Sequence, residues 1–414
     1  MMVWPLPRVT FRELRSIEEK RPVALLTTES VWSVWGSQIT LPVLIQAEPE
    51  RYDRDLFENL ANNLPTQVQA IYVVGQGAPL QAGKIIASRN QKPLYVIPTA
   101  LDSDQLLTPT AQVIDSDRWA DLETGPATEV IVDWTIIQSG PNDLRGAGIV
   151  DVLSIITGLL DWRYAAQKGK NPPEQRFAPW AASVAAGLAS QAIKSAAAIG
   201  EGNLDALQTL LNLMMTVVQL SNQLGHTRAR MGSEHYLAQL LKHTTLEHAE
   251  LVGPMLLFVA ALHGQDPASL REALSSAGVR LDSLRATDVR LMLDQLPEHL
   301  GSYGFTYSVL NDLDPLSDKA KEALDAAGLQ IPEDTWMMPE EEVVADVDET
   351  DLLEVAAEPT PDPEEDDDVL HPEQATQPTA TTTAEESQPV ATPPSAELDT
   401  AEAADESEVE SGNG

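Results

Sequence analysis

Short apolar runs alternate with amphipathic stretches through the first third of the chain. PVALLTT from Pro22 is followed by LPVLIQA, then DLFENLANNL, AIYVVGQG, APLQAGKIIASRN and KPLYVIPTA, with TEVIVDWTII as a further strand. Apolar runs of about five residues between helical segments predict a parallel sheet covered on both faces. Residues 1–20 read as a lead-in with a short helix over TFRELRSIEEK. From Asp151 to about Leu329 the spacing changes to three and four residues, in AASVAAGLASQAIKSAAAI, LDALQTLLNLMMTVVQLSNQL, HYLAQLLKHTTLEHAELVGPMLLFVAALHG, PASLREALSSAGV and ATDVRLMLDQLPEHL, which predicts helices throughout. The expected architecture is an α/β domain over residues 1–145 and an all-helical domain over 146–335. The Met and Leu stripes of the helical part are core packing.

A tail over 336–414 has another character. Of the 64 Asp and Glu, 25 fall in 340–414, where there is no Lys or Arg; residues 1–339 carry 39 acids against 26 bases. Acids mixed with Pro, Thr, Ser and Ala bury too little apolar surface to offset chain entropy, so the tail is expected to be disordered. Its role is either solubilising or contact with a basic partner. The acidic body argues against nucleic acid as a partner. The chain has no cysteine, so any transition-metal site must use His and carboxylate. With no apolar run of membrane-spanning length, a cytoplasmic protein is expected.

Two places carry candidate chemistry. Gly75 and Gly77 of GQGAPLQAGK lie between a strand and a helix, where free N–H groups suit a phosphate; Leu80 replaces the third glycine of GxGxxG, so a plain turn is an equal reading. His235 and His248 flank a short polar turn with carboxylates beside both, and Asp151 opens a helix. The three would make a metal site if they converge; otherwise Asp151 is a helix cap and His235 and His248 lie on helix surfaces, like His226, His243 and His263.

Taken in order, these motifs resemble the iron-containing alcohol dehydrogenase and dehydroquinate synthase-like superfamily, most nearly its glycerol-1-phosphate dehydrogenases. GHTRARMGSEH (Gly225–His235) is similar to GSSRPASGSEH, HAELVG (His248–Gly253) to HGEQVG, AGIVDV (Ala147–Val152) to AGLGDL, PTALDSDQLLTP (Pro98–Pro109) to PTTASHDGIASP, and GQGAPLQAGK to GGGTVIDVAK. The resemblance implies a dinucleotide-binding α/β domain followed by a helical domain, with the active site between them. It implies zinc or iron(II) on Asp151, His235 and His248. NAD or NADP would lie at Gly75, Gln76, Gly77, Lys84 and Thr99, and substrate at Asp104, which would also serve catalysis, and at Arg228. It implies hydride transfer on a polyol or polyol phosphate, such as glycerol 1-phosphate and dihydroxyacetone phosphate, by a homo-oligomer. A dehydroquinate synthase-like lyase and a non-catalytic descendant of the fold are the alternatives. Departures from the family pattern are Gln76 for the middle glycine of GGG, Gln81 for its acid, Val150, Gln239 and Ala249.

Overall fold

The computed structural model describes residues 4–116, 118–241, 244, 246–302 and 306–337. Among the described residues all eight strands lie in the first third of the chain: β1 (Arg8–Phe11), β2 (Val23–Leu26), β3 (Val43–Ala47), β4 (Ala70–Val74), β5 (Leu94–Ile97), β6 (Thr110–Asp115), β7 (Arg118–Glu123) and β8 (Glu129–Val132). Six form one parallel sheet in the order β1-β8-β5-β4-β2-β3, while β6 and β7 pair antiparallel as a separate hairpin. Both faces are covered, which is why β2, β4 and β8 are buried at every position and read as unbroken apolar runs.

Two parts of this sheet region differ from expectation. The lead-in holds no α-helix; β1 extends the sheet there, followed by a single 3-10 turn at Leu14–Ser16. β1 is a four-residue edge strand fixed by polar contacts as well as its ladder. Arg8 pairs with Glu129, the first residue of β8, and Glu129 also accepts from Thr10 Oγ1 at 2.6 Å and Arg12 Nη2 at 2.7 Å. The β6–β7 hairpin was not expected either. It packs beside the Ala78–Asn90 helix, whose residues are buried from Ala78 to Ala87. TEVIVDWTII also divides: Asp133 ends β8 and caps the Trp134–Ser139 helix by accepting from Thr135 N at 2.9 Å.

From Ile149 onward the described residues form helices and 3-10 turns, as the three- and four-residue spacing predicts. His248–Leu262 is buried along nearly its whole length, and around it pack Asp318–Ala327, Glu234–Leu240 and the start of the helical part. A helix that is apolar all round is a core helix. None of the described helices is long and apolar enough to cross a membrane. The last described helix, Glu333–Trp336, ends at the first residue assigned to the tail, and Arg290 Nη1 donates to Trp336 O at 2.9 Å. The disorder expected for the tail concerns residues 338–414, which lie outside the described residues, as does His243.

Candidate metal centre and dinucleotide turn

The site forms where the loop after β5 meets the start of the helical part. Leu101 N donates to Arg145 O at 3.0 Å, and Gly148 N donates to Leu101 O at 2.7 Å. A Cβ at Gly148 would stand 2.8 Å from Leu101 O, so only glycine lets the Ile149–Leu153 helix approach the loop this closely. That approach buries Asp151 in the helix's first turn. Its side chain does not cap its own helix. Oδ2 accepts from Asp104 N at 2.7 Å, and Oδ1 lies 2.8 Å from His248 Nε2 and 3.7 Å from His235 Nε2.

Both histidines sit at helix starts, His235 second in Glu234–Leu240 and His248 first in His248–Leu262. One ligand atom from each of Asp151, His235 and His248 lies within 4.8 Å of the others. Tetrahedral bonds of about 2.1 Å separate neighbouring ligand atoms by about 3.4 Å, a value that the 2.8 and 3.7 Å separations bracket. Both Asp151–histidine separations therefore suit zinc or iron(II), and the two histidines' ligand atoms lie within 4.8 Å of each other. His235 Nδ1 faces Glu234 Oε1 at 2.8 Å, the outer contact that turns Nε2 toward a metal. Burial opposes protonation of His235, yet the carboxylates of Asp151 and Glu234 beside its ring raise it to about 9. Burial alone would raise the Asp151 carboxyl, but charge from His248 and hydrogen bonds to both histidines hold it well below the usual range.

The three converge on a cavity whose other walls are Asp104, Gln105, Arg230 and Met231. Asp104 is buried, and its Oδ2 accepts from Arg230 Nη1 at 2.6 Å. Burial pushes its carboxyl up, with Arg230 opposing. Asp104 thus stands beside the centre with one oxygen already committed. Asp102, two residues earlier, is pushed up to about 7, chiefly by burial, with His248 opposing and Glu247 adding to the rise.

The Gly75–Gly77 turn lies between β4 and the Ala78–Asn90 helix. Gly75 has φ +123° and Gly77 φ +63°, backbone that glycine adopts without strain. Gly77 opens the Ala78–Asn90 helix, and no side chain caps it; Pro79 has no N–H and Leu80 N donates to Gly77 O at 3.1 Å, so in the first turn the Ala78 N–H is the donor left for an anion. Gln76 bends onto the strand beside it, its Oε1 accepting from Thr99 Oγ1 at 2.8 Å and Thr99 N at 3.3 Å. Gln81 is also tied down, its Oε1 accepting from Gln112 N at 2.9 Å.

Two expected site residues stand elsewhere. Lys84 does not face the turn: it is buried under the loop after β5, its Nζ donating to Gln105 O, to Thr108 Oγ1 at 3.1 Å and to Thr110 O at 2.7 Å. Arg228 is likewise a tether away from the cavity lining, its Nη2 donating to Asp161 O at 3.3 Å, Asn171 Oδ1 at 3.2 Å and Tyr307 O at 3.0 Å. The arginine that lines the cavity is Arg230, which the sequence reading passed over. Nor is His263 a surface residue: its Nε2 lies 2.9 Å from Asp161 Oδ1 with its side chain 8% exposed.

Burial depresses Lys84 to about 7, against the opposing charges of Asp104 and Asp121. Between about pH 7 and 10.5 the unfolded chain keeps a proton that the folded chain has lost, so this lysine's contribution to stability improves as pH rises through that window. The stability of the wild type relative to Lys84→Met should rise by on the order of 1 kcal/mol per pH unit there. Urea unfolding at a series of pH values measures it, and a difference flat with pH would contradict the burial argument.

Comparison with known proteins agrees with the fold. No family model matches the chain. The glycerol dehydrogenase from Schizosaccharomyces pombe superposes with TM-score 0.57 at 13% identity, covering 86% of this chain and 93% of that one. An iron-containing alcohol dehydrogenase from Corynebacterium glutamicum gives 0.54 at 16% identity, over 81% and 99%. In sequence, the glycerol-1-phosphate dehydrogenase [NAD(P)+] of Methanosarcina mazei is 25% identical over 246 residues, 59% of this chain and 67% of the relative. That of Methanothermobacter thermautotrophicus is 28% identical over 211 residues, 50% of this chain and 60% of the relative. The chain shares the fold of these dehydrogenases and is similar in sequence to glycerol-1-phosphate dehydrogenases. The matched regions span about three-fifths to two-thirds of these two curated relatives. Sulfoacetaldehyde reductase from Bifidobacterium kashiwanohense, solved in complex with NAD+, shares the superfamily fold with TM-score 0.56 at 15% identity, over 80% of this chain and 99% of that one.

Proposed function

We propose that this protein is a metal-dependent, NAD(P)-linked oxidoreductase that moves hydride between a nicotinamide and a polyol or polyol phosphate, of the glycerol 1-phosphate and dihydroxyacetone phosphate kind. The observation that carries the proposal is the convergence of Asp151, His235 and His248 on one cavity. The relatives in sequence act in that class by name.

A divalent ion held by one carboxylate and two imidazoles supplies Lewis acidity, which favours loss of a proton from a bound hydroxyl and polarises a carbonyl in reverse. A nicotinamide cofactor would supply the hydride acceptor, and the backbone of Gly75, Gln76 and Gly77 would hold its phosphates. The protein's own groups arrange these partners. Glu234 fixes the His235 ring through Nδ1. Asp104 donates its backbone N–H to Asp151 and so sets the carboxylate that faces both histidines. Gln76 and Thr99 close the strand ends beside the turn, Gln76 accepting from Thr99 instead of projecting freely over the helix start.

The test is a titration of the metal-loaded full-length chain with NADH and NADPH, followed by nicotinamide fluorescence, together with an absorbance assay on glycerol, glycerol 1-phosphate and dihydroxyacetone phosphate. The proposal predicts saturable binding of at least one nicotinamide and metal-dependent turnover. No binding of either would overturn it in favour of a non-catalytic descendant of the fold, for which Gln76 and Gln81 would then be the reason.

A further inference from the structure

Among the described residues, Arg230 is the only arginine or lysine on the wall of the cavity that Asp151, His235 and His248 share. It is 7% exposed. A guanidinium carries five N–H donors in a fixed plane, and this one is not satisfied. Nη1 donates to Asp104 Oδ2 at 2.6 Å, Nη2 meets only the weak acceptor Met231 Sδ at 3.1 Å, and Nε is buried with no partner. Leaving donors of a charged group unpaired out of water is costly, and an anionic oxygen is the partner that removes the cost most completely.

We propose that Arg230 is a specificity-determining residue that binds the anionic group, phosphate or carboxylate, of a substrate whose hydroxyl enters between Asp151, His235 and His248. The inference rests on the oxidoreductase reading for the hydroxyl but not for the anion. Asp104 becomes a positioning residue: its carboxylate holds Nη1 in place and leaves the other donors of the guanidinium for the ligand.

Calorimetric titration of the metal-loaded full-length protein with glycerol 1-phosphate, with glycolate and with glycerol tests it, in wild type, Arg230→Lys and Arg230→Gln. The wild type should bind at least one of the two anionic ligands more tightly than glycerol. In Arg230→Gln that preference should fall by about 10- to 100-fold, the range for losing a hydrogen bond to a charged group, with a partial return in Arg230→Lys. Preference for glycerol 1-phosphate or for glycolate identifies the group as phosphate or carboxylate. A folded Arg230→Gln that keeps the wild-type ratio overturns the proposal, because a merely structural pair with Asp104 would not set it. If Arg230→Gln does not fold, equal affinity of the wild type for all three ligands overturns it as well. Arg230-dependent anion binding without nicotinamide-linked turnover sinks the oxidoreductase reading alone. Turnover of neutral polyols with an unchanged ratio in Arg230→Gln sinks this one alone.

Discussion

Asp151→Asn should lower divalent-metal affinity by more than about 100-fold, since changing a mere outer partner of a ligand already costs about 10–100-fold. Asp151 supplies the one negative charge among the three ligands, and Oδ1 stands between His248 at 2.8 Å and His235 at 3.7 Å. An asparagine oxygen can still accept from Asp104 N, the contact now made by Oδ2. The variant is therefore expected to fold and to separate metal binding from stability. Metal content after dialysis, read beside a thermal melt, checks the prediction. A variant that retains one ion per chain with wild-type affinity would remove Asp151 from the site.

The second large effect is expected from a residue outside the cavity. Asp161 is buried in the Ile155–Gln167 helix and gathers four donors. Oδ2 accepts from Ser233 N at 2.8 Å and Ser233 Oγ at 2.7 Å, while Oδ1 accepts from Val309 N at 3.1 Å and lies 2.9 Å from His263 Nε2. Ser233 directly precedes Glu234 and His235, so this carboxylate anchors the start of the helix that presents a metal ligand. Asp161→Ala should destabilise the fold by about 3–5 kcal/mol, as when one partner of a buried ionic network is removed. It should also weaken metal binding by about 10-fold or more. Urea unfolding and metal titration of the same preparation measure both. Loss of stability with unchanged metal affinity would show that Ser233 holds the helix without this anchor.

The parallel strands and the three candidate ligands were legible in the sequence for the same reason: each rests on a local signal. β2, β4 and β5 are apolar runs bounded by polar turns, and Asp151, His235 and His248 sit in short ungapped motifs. The missed elements lack such signals. RVTF of β1 is a brief, half-polar edge strand whose partner Glu129 is over a hundred residues away. The β6–β7 hairpin mixes acids with apolar residues, so neither strand reads as a run.

Side-chain direction was the other hidden quantity. Arg228 and Arg230 are two residues apart in one irregular turn, and the backbone there sends Arg228 toward Tyr307 O and Arg230 toward Asp104. Nothing in RARMG distinguishes them. Lys84 looks like a basic residue near a phosphate turn, but the loop at Gln105–Thr110 closes over it and consumes its ammonium. Asp161 was missed although a signal existed: an acid within the apolar run IITGLLDW must find donors if that helix is buried.

The central claim is that Asp151, His235 and His248 hold one divalent ion. X-ray absorption spectroscopy of the full-length protein, loaded separately with zinc and with iron(II), tests it most directly. The account predicts one tightly bound ion per chain, with two imidazoles and at least one carboxylate oxygen at about 2.0–2.2 Å. Substoichiometric metal, or a ligand shell without imidazole, would contradict it.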